Sequence, residues 1–387
     1  MLEKLDKIHS EIVEIRRYLH QHPEVSFKEV NTRAYIAKYL EDLNIPVKRE
    51  VGGGGVVAYL KGAGEGKTVA LRADFDALSL TDEKDVPYKS QNPGAMHACG
   101  HDGHTASLLA VGKVLSQNPD QFKGEVRLLF QHAEEQAPGG AEPMIKDGCL
   151  EGVDFVFGSH LKSDMPVGKF GYRIGAALAA ADEFNLTIQG KGGHGAAPQN
   201  TIDPIIISAK LINDLQHIIS RRKDPQDPAV LTIGTINGGS AFNIIPDRVK
   251  MSGTVRTYDK KVQDFIIEEM EKIIKANCDS YGATYTFNYI KGYPPLINHK
   301  AETEKLVASL AEIVGSENVS EMAPSMGGED FSRYLEKVPG SFFYTGAGNE
   351  AKGIVYPHHH PKFDIDEDGL LFAAKGLLKI AVEYTAS

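Results

Sequence analysis

VVAYL at residues 56–60, TVALRA at 68–73, VRLLFQ at 126–131 and DFVFGSH at 154–160 are short, nearly unbroken apolar runs separated by helical patterns. Runs of this length fit strands buried on both faces, and their alternation with helices predicts an α/β domain built on a sheet. One helix is predicted from about Gly103 to Leu115, and a shorter one lies between the third and fourth runs. Upstream, Ile8, Ile12, Ile15 and Leu19 recur at helical spacing. Val30, Ala34 and the stretch from Tyr35 to Leu43 continue an apolar face after His22 and Pro23, so two N-terminal helices are predicted. The four glycines at 52–55 read as a turn between strands.

Past Ala181 the pattern changes. EFNLTIQG, a helix over Ile205 to Ile219, AVLTIGTING, RVKMSGTVRTYD, a helix over Val262 to Ala276 and ATYTFNYI describe a separate α+β unit with two helices on one face. KGYPPLIN, with Pro294 and Pro295, reads as the return linker. Helices near Ala301 to Val314 and Asp366 to Tyr384 then flank the strand SFFYTG and complete the first domain. The predicted division is therefore 1–181 with 293–387 as one domain and 182–292 as an insertion.

At 387 residues the chain exceeds the size of a single core, which agrees with two domains. Apolar residues at 42% and charged residues at 24% are those of a globular protein. A net charge of −10 without a basic run excludes a nucleic-acid footprint. No apolar stretch approaches a membrane span, and Cys99, Cys149 and Cys278 are too sparse for a disulfide scaffold. The expectation is a cytoplasmic protein with no membrane partner.

GAGEGKT at 62–68 imitates a phosphate-binding loop but lacks the required spacing, since Lys61 stands where a glycine is needed, and it leads into a strand. A polar hairpin turn is the better reading. HACGHDGH at 97–104 is more informative: Cys99 and His101, one residue apart on a predicted loop, offer a thiolate and an imidazole to a divalent ion. In FQHAEEQAPGG, Glu134 and Glu135 follow an apolar strand, where one carboxylate can bind metal while its neighbour acts as general base. His160 closes DFVFGSH, and His358, His359 and His360 precede Pro361. Each segment alone is ordinary, but together they supply ligands for two metals that share one of them. The competing chemistry is a Cys99 nucleophile assisted by His101 or His104, which leaves the glutamates and distal histidines unused.

The ordered set RRYLHQHPEVSFKE, RADFDAL, HACGHDGHT, FQHAEE, GKGGHGAAPQNTIDP, NIIPDRV, MGGEDF and HHPKFDIDE resembles the M20 metallopeptidase family, amidohydrolase branch, over nearly the whole chain. The resemblance implies a zinc-peptidase-like catalytic domain with a mixed sheet, plus an inserted ferredoxin-like lid and dimerisation domain. It implies Cys99, His101, Glu135, His160 and His359 as ligands of two divalent ions (zinc, manganese, nickel or cobalt), Glu134 as general base and Asp74 as the acid that orients the site. His194 is implied to steady the oxyanion in the partner subunit's site of a homodimer, with Asn243 and Arg256 contacting the substrate. His132 departs from the proline usual in the family. The implied reaction is cleavage of N-acyl amino acids to a carboxylate and a free amino acid. A non-catalytic ligand-binding protein on the same fold and a dipeptidase of the same superfamily are the alternatives.

Overall fold

The computed structural model describes residues 1–387. By internal contacts the chain forms two units: Met1–Ala177 with Ile297–Ala323 and Asp330–Ser387, and Leu178–Leu296 with Pro324–Glu329. The principal strands are β1 Val47–Val51, β2 Gly55–Lys61, β3 Thr68–Asp74, β4 Glu125–Gln131, β5 Phe155–Pro166, β6 Phe170–Tyr172, β7 Ala180–Gln189, β8 Ala229–Gly238, β9 Arg248–Thr257, β10 Thr284–Tyr293, β11 Val319–Glu321 and β12 Gly340–Gly348. The principal helices are α1 His9–Gln21, α2 Val30–Asp42, α3 His101–Ser116, α4 Pro204–His217, α5 Lys260–Tyr281, α6 Lys300–Val314 and α7 Asp368–Thr385.

The first unit holds an eight-stranded mixed sheet in the order β1-β2-β4-β3-β5-β12-β6-β11. Its centre is parallel: Leu71 pairs with Leu128 on one side and Phe157 on the other, and β12 continues alongside β5. Both faces of β3 and β4 are buried, which is why their sequences are continuous apolar runs rather than alternating ones. Leu19, Leu40, Leu109, Leu310 and Leu377, from five helices, share one core with Leu71, Leu128 and Phe157. Arg72 and Asp74 are the charged exceptions inside β3: Arg72 is 2% exposed and its charge is met by Asp74 at 2.6 Å and Asp330 at 3.0 Å.

The second unit runs β7-α4-β8-β9-α5-β10 and pairs in the order β8-β9-β7-β10, all antiparallel, which is the split βαβ arrangement of ferredoxin-like folds. Burial alternates along β7, so Phe184, Leu186 and Ile188 pack with Leu211, Leu215, Ile266, Met270 and Ile274 of the two helices. Asp203 and Asp259 cap those helices by accepting two backbone N–H bonds each, and Gly282 ends α5 at φ 70°.

Three expectations are corrected. The boundary lies before 181, because Ala180 and Ala181 already pair with Thr257 and Arg256 in β9. Pro324–Glu329 groups with the second unit, where the Gly327 carbonyl accepts the Ala179 N–H at 3.0 Å. GAGEGKT is not a hairpin turn: β2 and β3 do not pair but flank β4 on opposite sides, so the loop passes over the start of β4, and the Gly62 and Gly124 N–H groups donate to Gly124 and Gly64.

Candidate active site

Since β3, β4, β5 and β12 run parallel, their carboxyl ends share one edge, where α/β folds place their sites. β3 delivers Asp74 and Asp76, β4 leads into Glu134 and Glu135, and β5 carries His160. Gly100, at φ 92°, turns the chain between Cys99 and the start of α3, so His101 is the first helical residue rather than part of a loop. Ala133 at φ 51° and His359 at φ 64° hold left-handed conformations that non-glycine residues avoid. A 2.8 Å bond from the His359 N–H to the Ala98 carbonyl ties the distal histidine turn to the Cys99 loop.

The ligating atoms of Cys99, His101 and Glu135 lie within 4.8 Å of one another. Cys99 Sγ is 3.5 Å from His160 Nε2, and His359 Nε2 is 3.2 Å from Glu135 Oε1. Thus all five residues expected as ligands converge. His101 Nδ1 lies 3.1 Å from Asp76 Oδ1 and 3.0 Å from the Asp76 carbonyl, so it donates there and leaves Nε2 as the atom open to a metal. His160 Nδ1 donates to the Leu161 carbonyl at 2.7 Å, which leaves its Nε2 lone pair facing Cys99 Sγ.

His101 Nε2 is buried with no hydrogen-bond partner, and Glu135 Oε1 lies among histidine nitrogens, 3.2 Å from His359 Nε2 and 3.9 Å from His101 Nε2. Burial pushes the His101 imidazole down, but Asp74, Asp76 and Glu135 outweigh it and raise it to about 10, so Nε2 holds a proton until a cation takes that proton's place. Burial, then Glu135, Glu134 and Asp74, push the Cys99 thiol well above its ordinary range. Crowded lone pairs and negative charge of this kind are stable when a cation is shared among them, and the thiolate, imidazole and carboxylate set fits zinc or a similar divalent ion. The same geometry leaves a cysteine nucleophile without a base: His101 Nδ1 is committed to Asp76, and His104 has both nitrogens engaged, by Asp74 Oδ1 at 2.6 Å and the Leu161 N–H at 2.8 Å.

Asp76, two residues beyond the Asp74 expected to orient the site, is the acid hydrogen-bonded to His101 Nδ1, while Asp74 Oδ2 lies 3.7 Å from His101 Nε2. Asp76 Oδ2 also accepts the Glu135 N–H at 3.0 Å and the Ser26 hydroxyl at 2.7 Å, whereas Asp74 pairs with Arg72 and His104. Both acids sit in RADFDAL two residues apart, and extended chain turns residues i and i+2 the same way, so spacing did not separate them. His358 is a further residue near the site. It forms a group of three with Cys99 and His160, its Nδ1 is unpartnered, and its Nε2 accepts the Ser163 N–H at 3.3 Å. Only its place in the histidine run pointed to it.

Glu134 is 7% exposed beside Glu135. In the second unit, Gly193–His194 pairs with Ile244–Ile245 and the Gly195 N–H donates to the Asn243 carbonyl at 2.8 Å, so His194 and Asn243 are neighbours. Arg256 is elsewhere in that unit, on β9 opposite Ala181.

Comparison with known proteins gives these residues a family. The model of peptidase family M20/M25/M40 matches residues 70–383. YhaA of Bacillus subtilis, named as an amidohydrolase, is 50% identical over 382 residues, covering 99% of this chain and 96% of the relative. The N-acyl-L-amino acid amidohydrolase of Geobacillus stearothermophilus is 45% identical over 300 residues, covering 76% of this chain and 80% of the relative. Among solved structures, the Bacillus subtilis YXEP protein, described as a dinuclear metal binding peptidase from the M20 family, superposes with a TM-score of 0.86 at 34% identity, covering 98% of each chain. With a family model spanning most of its length and relatives matched nearly end to end, this chain belongs to peptidase family M20/M25/M40 and is a hydrolase of amide bonds.

Proposed function

We propose that the chain hydrolyses N-acyl-L-amino acids to a carboxylate and a free amino acid, with two divalent ions held by Cys99, His101, Glu135, His160 and His359. The observation that carries this reading is the convergence of Cys99, His101 and Glu135, their ligating atoms within 4.8 Å of one another and His101 Nε2 without a hydrogen-bond partner, beside the buried Glu134. Bound ions of this class polarise a carbonyl and lower the pKa of water. Asp76 holds His101 in the tautomer that offers Nε2 and fixes the Glu135 backbone. Glu134 takes the proton of the attacking water and passes it to the leaving amine. His194 is assigned to the oxyanion, supplied by the partner subunit of a homodimer formed through the second unit, and Asn243 and Arg256 to the substrate carboxylate. Burial lowers the pKa of Arg256, and Asp182 counters it without reversing it; the half-buried guanidinium stays cationic.

The metal is drawn from zinc, manganese, nickel and cobalt, all of which accept this ligand set. The compartment proposed is the cytoplasm; no helix is long and apolar enough to cross a membrane. The test is a panel of hippurate and N-acetyl amino acids offered to metal-analysed protein, with and without chelator. Metal-dependent release of free amino acid is expected. Metal-loaded protein that turns over nothing across a broad panel would leave the non-catalytic binder as the better account.

A further inference from the structure

The chain between α1 and α2, PEVSFKE at 23–29, reaches the site with two side chains and contributes no ligand. Ser26 donates its hydroxyl to Asp76 Oδ2 at 2.7 Å, and Glu29 Oε1 accepts the Ala133 N–H at 2.8 Å. Glu29 is 6% exposed and Ala133 fully buried. Ala133 is the residue at φ 51°, immediately before Glu134 and Glu135, and a left-handed alanine persists only where its surroundings impose it. From the other side, the His132 ring lies against Gly54 so closely that a Cβ there would meet it at 2.5 Å. A carboxylate so placed is costly: burial, with Asp76 nearby, pushes it up to about 7, while the backbone N–H groups of Glu29 itself, Ala133 and Phe27 pull it down.

From this geometry we infer that Glu29 is a positioning residue: its side-chain oxygen, by holding the Ala133 N–H, fixes the strained turn that aims Glu134 and Glu135. The inference rests on the reading of those two glutamates as base and ligand. It requires an acceptor at position 29, not a charge, which separates it from a general structural role. Glutamine keeps the acceptor and the shape, whereas alanine loses both.

The experiment compares metal-loaded full chain with Glu29→Gln and Glu29→Ala, measuring kcat, KM and the rate of metal loss to EDTA. Glu29→Ala is expected to lower kcat about tenfold or more with KM changed less than about twofold, and to release metal about tenfold faster. Glu29→Gln is expected to stay near wild type in both. A Glu29→Ala enzyme with native kcat and metal retention, or a Glu29→Gln enzyme as damaged as the alanine variant, overturns the inference. If the alanine variant does not fold, the glutamine variant alone decides. If wild type releases no amino acid from any substrate, the functional reading falls, and the EDTA rates still judge Glu29.

Discussion

His101 and Asp102 are neighbours in the first turn of α3, both buried, and they belong to two different pools of ionisable side chains. Around Asp102 the chain supplies both signs of charge. Arg16 donates to Asp102 at 2.9 Å, Asp364 at 2.7 Å and Glu367 at 3.3 Å, His20 lies 2.7 Å from Asp102, and Lys84 donates to His20 at 2.8 Å. Around His101 the acids are met mainly by histidines rather than by fixed cations. The ion pairs of Asp76 and Glu135 are with histidines, and the guanidinium in that region, Arg72, is shared between Asp74 and Asp330. Asp102 Oδ1 also lacks a hydrogen-bond partner, so the contrast lies in charge: a buried pool closed by its own guanidinium and ammonium groups is scaffold, and one whose acids face histidines and a thiol is where an external cation belongs.

The strongest attempt to break that contrast is removal of the metal. Stripping with a chelator is expected to abolish hydrolysis of N-acyl amino acids and to lower Tm, with both restored by adding back zinc, manganese, nickel or cobalt. At a hundredfold excess over Kd the bound ion is worth about 2.7 kcal/mol of stability. Next in size is Glu134→Ala, expected to cost about 100- to 10,000-fold in kcat while metal content, read by elemental analysis, stays at the wild-type level. Loss of metal in that variant would move Glu134 from base to ligand.

Arg16→Met attacks the closed pool instead. Leaving Asp102 and Asp364 buried without their cation is expected to destabilise the fold by about 3–5 kcal/mol in denaturant titrations, with metal stoichiometry unchanged. Acid reaches the same pool from its other partner. Burial pushes the Asp102 and Asp364 carboxyls up, but Arg16, with His20 or Lys84, outweighs it and holds both below the ordinary carboxylate range. Their contribution is therefore complete above the unfolded value of about 3.9 and is lost as pH falls below it. Tm measured from pH 7 to 3 should drop in wild type more steeply than in Arg16→Met. The smallest effect expected is that of Asp76→Asn, about 10- to 100-fold in metal affinity by competition with a chelator, and the same change at Asp74 should cost affinity less.

The helices and strands were legible because their signals are local. Apolar runs marked β3, β4, β5 and β12, and apolar spacing marked α4 and α5, although the helix expected over Val262 to Ala276 extends from Lys260 to Tyr281. The members of the candidate site were legible as motif residues, since thiol, imidazole and carboxylate cluster at predicted strand ends. Their mutual arrangement was less so. GAGEGKT reads as a hairpin turn from its polarity, yet the strand that separates β2 from β3 arrives from residues 125–131.

By itself the order of residues determined an α/β unit interrupted by an α+β unit and put metal-binding side chains at the carboxyl ends of its central strands, because side-chain period and turn chemistry act within a few residues. Which of those side chains is open to a cation was decided only by tertiary structure. His101 and His104 have equal claims in HACGHDGH, and so do Asp74 and Asp76 in RADFDAL. They part company because Leu161 of β5 consumes the free nitrogen of His104, while Ser26 and the Glu135 backbone commit Asp76 to the site. A lone pair's availability depends on the one group that reaches it in space, and here that group lies dozens of residues away in the chain.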